Sequence, residues 1–220
     1  MTETGAVQNL DASPSTRLIL ASGSPRRREF LTNHGLTFEV MAADIDESVR
    51  PGELPDDYVI RLAVSKATAI RDRLESLTIG NTEDQQPDIA VIGADTTVAF
   101  QNEILGKPID ADDARAMLRR LSGRTHQTLT GIAVARHETV SLCVRTNVTF
   151  ARLTDHEIDW YVRTGEPLDK AGSYGIQGIA GSYIERIDGN VQNVAGLPMH
   201  HLVILFAKVG LSPNMFRANP

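Results

Sequence analysis

A three-residue apolar run, Leu18-Ile19-Leu20, passes through Ala21 into Ser22-Gly23-Ser24-Pro25 and then into three consecutive arginines, Arg26, Arg27 and Arg28. A run this short, bounded by serine and glycine, fits a buried strand rather than a helix. Ser24 has the chemistry of an N-cap and Pro25 that of a first helical residue, while Gly35 after His34 closes the helix they begin. A strand handing over to a helix is the step from which α/β folds are built. The same turn also constrains chemistry. A helix N-terminus presents unpaired N–H groups and partial positive charge, so an anion can dock there. Arginine forks match phosphate oxygens in pairs. Ser24, Arg26 and Arg27 therefore read either as a phosphate cradle or as the solvated face of a surface helix.

Charge decides how much weight the arginines carry. The chain has a formal net charge of −6, which argues against binding to nucleic acid, because that needs a broad basic surface. A polyphosphate ligand would need a local cationic pocket built against that sign. With 220 residues, 41% apolar and 23% charged, the chain has the make-up of a soluble globular protein with one sizeable core, in one domain or two small lobes. No apolar run approaches the roughly 20 residues of a membrane span. Residues 1–16 lack the basic start and apolar centre of a secretory signal and are expected to be a disordered extension. A single cysteine, Cys143, cannot form an internal disulfide, and a cytoplasmic location is the simplest expectation.

Periodicity organises the remainder. A strand is expected over 38–41, then an acidic loop with Asp44, Asp46 and Glu47, and then a helix over 56–74 with Val59, Leu62, Ala63, Ala67 and Ile70 at helical spacing. Polar residues 76–88 read as a loop. A second buried strand, "IAVIGA", is expected to end at Asp95, followed by a hairpin around 101–103 and a short helix in "DADDARAMLRRLSG". Two long strands fill 127–150, and Thr154 with Glu157 makes a capping box for the next helix. "EPLDKAGSYGIQGIAG" is too rich in glycine for a regular element and reads as a functional loop. A strand over 182–187, a turn at 188–190 and a helix over 198–209 complete the pattern. Strands and helices mix without strict alternation, which predicts a mixed sheet in an α/β fold.

Several residues have the chemistry of a site. Asp95, after an apolar strand, can serve as general base, hold a divalent cation or merely cap a turn. Asp46 and Glu47 offer further oxygen ligands or form an ordinary solvated loop. Lys66 is the only lysine of its helix and Lys107 sits in the tight "LGKPID" turn; each can neutralise phosphate or lie exposed. Gln177 and Tyr174 lie in the glycine-rich loop, where a glutamine amide can meet a nucleobase edge. No P-loop and no dinucleotide-binding glycine motif is present. Adjacent His200 and His201 cannot share one helix face as zinc ligands, Cys143 lacks a nucleophile's motif, and Trp160 and Tyr161 read as helix packing residues.

Taken in order, "LASGSPRRREFL", "DIDES", "RLAVSKA", "VIGADTTV", "LGKP", "LSGRTHQTLTGIAV", "EPLDKAGSYGIQG" and "NVAGLP" resemble the Maf family of nucleoside triphosphate pyrophosphatases from about Arg17 to Val209. The resemblance implies an elongated mixed sheet flanked by helices, with two lobes around a cleft, in a single Maf- and ITPase-like domain over 17–210 followed by a tail over 211–220. It implies hydrolysis of a nucleoside triphosphate to monophosphate and pyrophosphate with a divalent cation, Mg²⁺ or Mn²⁺. In that scheme Asp95 and Glu47 are the acidic and metal-binding pair, Arg27, Lys66 and Lys107 face the phosphates, and Arg26, Thr96 and Gln177 bear on substrate choice. Ser-Pro-Arg-Arg, Ala-Asp-Thr and Tyr-Gly-Ile-Gln-Gly resemble the family's dTTP/UTP branch rather than its 7-methyl-GTP branch. A homodimer is also implied. The alternatives are a purine-directed pyrophosphatase of the same fold and a nucleotide-binding regulator of septum formation without turnover.

Overall fold

The computed structural model describes residues 16–77 and 88–217. The expected extension up to residue 15 and most of the expected loop at 76–88 lie outside the described residues. Among those described, β1 (Arg17–Leu20), β2 (Glu39–Val40), β3 (Ile89–Phe100), β4 (Glu103–Leu105), β5 (Thr125–Ala135), β6 (Thr139–Phe150) and β7 (Ile184–Asp188) form one sheet. Its order is β2-β1-β3-β5-β6-β7, with β4 paired to β3. The β2-β1-β3 side is parallel and the remainder antiparallel, so the sheet is mixed as expected.

The first helix, α1 (Pro25–Asn33), begins where sequence places it: the Ser24 side chain accepts from the Arg27 backbone N–H and Pro25 opens the first turn. The longest helix, α2 (Pro55–Ser76), lies against β3 and β5. Two glycines decide how close it comes. A Cβ on Gly93 would stand 2.0 Å from the Ala63 carbonyl oxygen, and one on Gly131 would stand 2.1 Å from that of Val59. No side chain fits at either point, so the helix backbone rests on bare sheet. Ile19, Val91, Ala133, Ala63, Ala67 and Ile70 pack into the dry seam beside this contact.

Packing divides the long strands into two halves. Ala90, Ile92, Ile132 and Val134 pack with α6 (Met199–Lys208), whereas Val98, Phe100, Val148 and Phe150 pack with α3 (Ala111–Leu121) and α4 (Asp155–Arg163). Between them β3 and β5 carry the buried polar residues Asp95, Thr97, Thr128 and Thr130. Polar strand centres thus stand where the apolar halves part.

Four local expectations are corrected. β3 does not end at Asp95 but runs to Phe100 before turning at Gln101 and Asn102, both at positive φ, so Asp95 is a mid-strand residue and caps no turn. Trp160 is 47% exposed, and only Tyr161 of that pair packs inside α4. A short helix, α5 (Val191–Ala195), follows the turn after β7, capped by the Asn190 side chain; five residues are too few for periodicity to disclose. The segment set apart as a tail folds back through residue 217: Leu211 and Phe216 are buried in the core with α6, and Leu36 bridges Arg217.

Candidate active site

Asp95 sits on the glycine-bare patch that α2 covers, two residues along β3 from Gly93 and directly paired with Gly131 on β5. That closeness lets Lys66, on α2 and only 7% exposed, reach Asp95 Oδ1 with its Nζ at 2.7 Å. The same Nζ lies 2.7 Å from Glu47 Oε1. One ammonium is thus held between two carboxylates from separate parts of the chain. A buried lysine requires such partners, because an unpaired charge there would be strongly destabilising.

Glu47 comes from a segment without regular structure, yet the segment is anchored. The Tyr58 hydroxyl donates to the Glu47 carbonyl oxygen at 3.1 Å, and Arg61 Nη2 donates to the Ser48 carbonyl oxygen at 3.0 Å while also holding Glu53. Burial, together with the Asp95 and Glu47 charges, pushes the Tyr58 hydroxyl up to about 12. Asp46 accepts from the Ser48 backbone N–H, which makes it the residue that shapes this loop.

Arg27 is nearly as buried as Lys66. Its Nε donates to the Gly196 carbonyl oxygen at 2.9 Å, Nη1 to Ser22 Oγ at 3.1 Å and Nη2 to Thr96 Oγ1 at 3.0 Å. A guanidinium has five N–H donors, so one hydrogen on each Nη remains for a ligand. Burial lowers its pKa, opposed by the nearby Asp95 charge, and an arginine stays protonated under either influence. Behind Thr96, hydrogen bonds run on to Thr130 and to the Asn193 carbonyl oxygen of α5, each at 2.9 Å. Asn193 itself is fully buried and ties α5 to the Thr128 carbonyl oxygen and Thr146 Oγ1.

These groups open onto a cavity of about 820 Å³, a size typical of small-molecule sites. Ser24, Arg26, Arg27, Glu47, Lys66, Asp95, Thr96 and Lys107 all line it. Val194, Ala195 and Gly196 at the end of α5 also line it, as does the glycine-rich loop, which folds as three short 3-10 turns and contributes Asp169, Lys170, Ala171 and Tyr174. Gly172 N–H donates to the Gly106 carbonyl oxygen at 3.0 Å, joining that loop to the Lys107 turn. Tyr174 is pinned from behind by His126 Nε2 at 2.8 Å and Thr128 Oγ1 at 3.1 Å. Burial pushes His126 down to about 4, which keeps it neutral. Gln177 is exposed and stands outside the cavity lining, so the structure does not gather it with the other candidates.

Lys170, Tyr58 and Ser22 line the cavity, and sequence reasoning gave them no binding role, whereas Tyr174, which also lines it, was among the candidates of the glycine-rich loop. Lys170 is the least surprising in retrospect, since its Nζ donates to the Glu166 carbonyl oxygen and meets Asp169, in a loop already marked as functional. Thr130 and Asn193 carry no signal a single sequence could show. Among the described residues, no three His, Cys, Asp or Glu side chains gather into a metal site of their own. Asp95 and Glu47 nonetheless converge on a single cationic centre, and two carboxylates completed by substrate phosphates are a donor set suited to a hard divalent cation.

Residues 17–209 match the family model described as "Maf-like protein". The chain belongs to the Maf family. Among curated relatives of this Maf chain, the dTTP/UTP pyrophosphatase of Hahella chejuensis is 48% identical over 203 residues, covering 91% of this chain and 96% of the relative. The dTTP/UTP pyrophosphatases of Anaeromyxobacter dehalogenans strain 2CP-1 and Chromobacterium violaceum are 49% and 50% identical, covering 88% and 89% of this chain and 94% and 96% of theirs. The solved nucleoside-triphosphatase / dITP/XTP pyrophosphatase of Mycobacterium abscessus aligns at 15% identity with a TM-score of 0.42, covering 89% of this chain and 95% of that one.

Proposed function

We propose that this Maf chain hydrolyses dTTP and UTP between the α and β phosphates, releasing the nucleoside monophosphate and pyrophosphate. The observation that carries the reading is the convergence of Asp95, Glu47 and Lys66 beside Arg27 in one cavity. The names of its relatives and the Ala-Asp-Thr and Tyr-Gly-Ile-Gln-Gly motifs support the pyrimidine preference.

Arg27, Lys107 and the N–H groups at the start of α1 bind the phosphate chain, which carries about four negative charges into a protein of net charge −6. Asp95 gives one oxygen to Lys66 and turns the other to the attacking water, whose proton it takes as the water approaches the α-phosphorus. Lys66 holds that carboxylate in place and offers positive charge to the departing pyrophosphate. Asp95 and Glu47 would hold a divalent cation, Mg²⁺ or Mn²⁺, which when bound neutralises phosphate charge. Positioning and charge neutralisation supply most of the catalysis in phosphoryl transfer.

The test is pyrophosphate release from dTTP, UTP, 7-methyl-GTP, GTP and ATP with Mg²⁺, beside Asp95→Asn. Release from the thymidine and uridine nucleotides, lost in the variant, supports the reading. Nucleotide binding without release from any of them would overturn it in favour of a binding protein.

A further inference from the structure

Thr130 is fully buried on β5 and stands outside the cavity lining. Its hydroxyl donates to the Asn193 carbonyl oxygen at 2.9 Å, and a hydroxyl has only one hydrogen to give. The 2.9 Å contact between Thr130 Oγ1 and Thr96 Oγ1 therefore takes its hydrogen from Thr96. Thr96 Oγ1 at the same time accepts Arg27 Nη2–H at 3.0 Å. With its hydrogen turned into the sheet and one lone pair on Arg27, the Thr96 hydroxyl keeps one lone pair and no donor. Thr96 lines the cavity beside Gly196, where a Cβ would stand 3.4 Å from Thr96 Oγ1 and 3.9 Å from Arg27 Nε. Gly196 adopts φ +107, which suits glycine, and the absent side chain leaves the Thr96 oxygen uncovered.

We infer that Thr130 is a positioning residue that fixes the polarity of the Thr96 hydroxyl, so that the cavity presents a pure acceptor there and selects an N–H or O–H of the nucleoside. The inference rests on the nucleotide reading above. A phosphate oxygen is itself an acceptor and is repelled at this point, which separates the task of Thr96 from that of Arg27 and Lys107. Two nucleoside groups have the required chemistry. One is the N3–H of thymine or uracil, replaced in cytosine by an acceptor; the other is the sugar 3′-hydroxyl.

Steady-state kcat/KM for dTTP, dCTP and 2′,3′-dideoxythymidine triphosphate, measured on the wild type, Thr130→Val, Thr130→Ser and Thr96→Val, tests this. The wild type is expected to disfavour one of the two analogues by roughly tenfold, the value of one hydrogen bond whose loss leaves a partner unpaired. A penalty on dCTP assigns the contact to N3–H, and a penalty on the dideoxynucleotide assigns it to the sugar. Thr130→Val frees the Thr96 hydrogen to turn into the cavity, so the penalty should shrink towards one, whereas Thr130→Ser should keep it. Thr96→Val leaves the bond from Thr130 to Asn193 in place and should abolish the penalty too, which covers the case of a valine at 130 that folds poorly. Equal treatment of all three nucleotides by the wild type, or an undiminished penalty in both valine variants, overturns the inference. Should no variant release pyrophosphate, the functional reading fails separately, and dissociation constants for the same nucleotides supply the same ratios.

Discussion

The cavity has two walls built by different means. One consists of β3, the start of α1 and the face of α2, with Asp95, Arg27 and Lys66 buried and each held by at least one hydrogen bond to another element. The other is the glycine-rich loop, three short 3-10 turns bearing Asp169, Lys170 and Tyr174, which is tied to its surroundings through Tyr174, the Gly106 carbonyl oxygen, the Tyr161 hydroxyl on Glu166 and the Ser173 hydroxyl on Met117. The charged groups Asp95, Arg27 and Lys66, proposed to act on the phosphates, thus stand on strand and helix, whereas the opposite wall is built from short turns.

The largest break in this contrast should come from Asp95→Asn, which keeps the shape of the rigid wall but removes the proposed base. Pyrophosphate release should fall by about 10²–10⁴-fold, with a lowered melting temperature as Lys66 keeps Glu47 as its one remaining carboxylate partner. The loop wall, by contrast, should be the one that acid loosens. His126 prefers to be neutral in the folded state, with a pKa of about 4 against an ordinary 6.5, so the unfolded chain binds the extra proton first. Stability is whole above pH 6.5 and declines as pH falls from there towards 4, by about 3 kcal/mol in total. Urea titrations at several pH values should show this loss, and His126→Gln should flatten it.

A smaller effect is expected from Gly131→Ala, whose methyl must push α2 off the sheet: about 1–3 kcal/mol of stability, accompanied by a disproportionate fall in kcat as Lys66 withdraws from Asp95. Denaturant melts run beside kinetics measure both. Gln177→Ala should have the least effect, changing kcat/KM for dTTP by less than about threefold, because an exposed side chain away from the cavity carries little energy. A large change in nucleotide preference from that substitution would show that the loop wall closes further over its ligand.

What could be read from the sequence follows the same division. The helix start at Ser24 and Pro25 and the capping box of Thr154 and Glu157 are local hydrogen-bond patterns, and the structure repeats them. Most of the charged site was legible because Arg27, Glu47, Lys66, Asp95 and Lys107 lie in compact motifs. The true length of β3 was hidden, since the polar run Asp95-Thr96-Thr97 interrupts its apolar signal where the cavity opens. Thr130 and Asn193 were hidden for another reason: their meaning lies in contacts across 34 and 63 residues of chain. Gln177 shows the converse, a motif position whose side chain the fold leaves outside.

The seating of α2 on Gly93 and Gly131 has an electrical consequence. With helix backbone in direct contact with sheet, no water layer fits between them behind Asp95 and Lys66. Solvent screens these charges from the mouth of the cavity, where the Glu47 side chain is half exposed. When a ligand fills that mouth, much of this screening is displaced, and the field of the buried charges falls on the ligand in a medium of lower dielectric constant. The glycines therefore act as an insulating backplate, directing the electrostatics of the site towards whatever enters it.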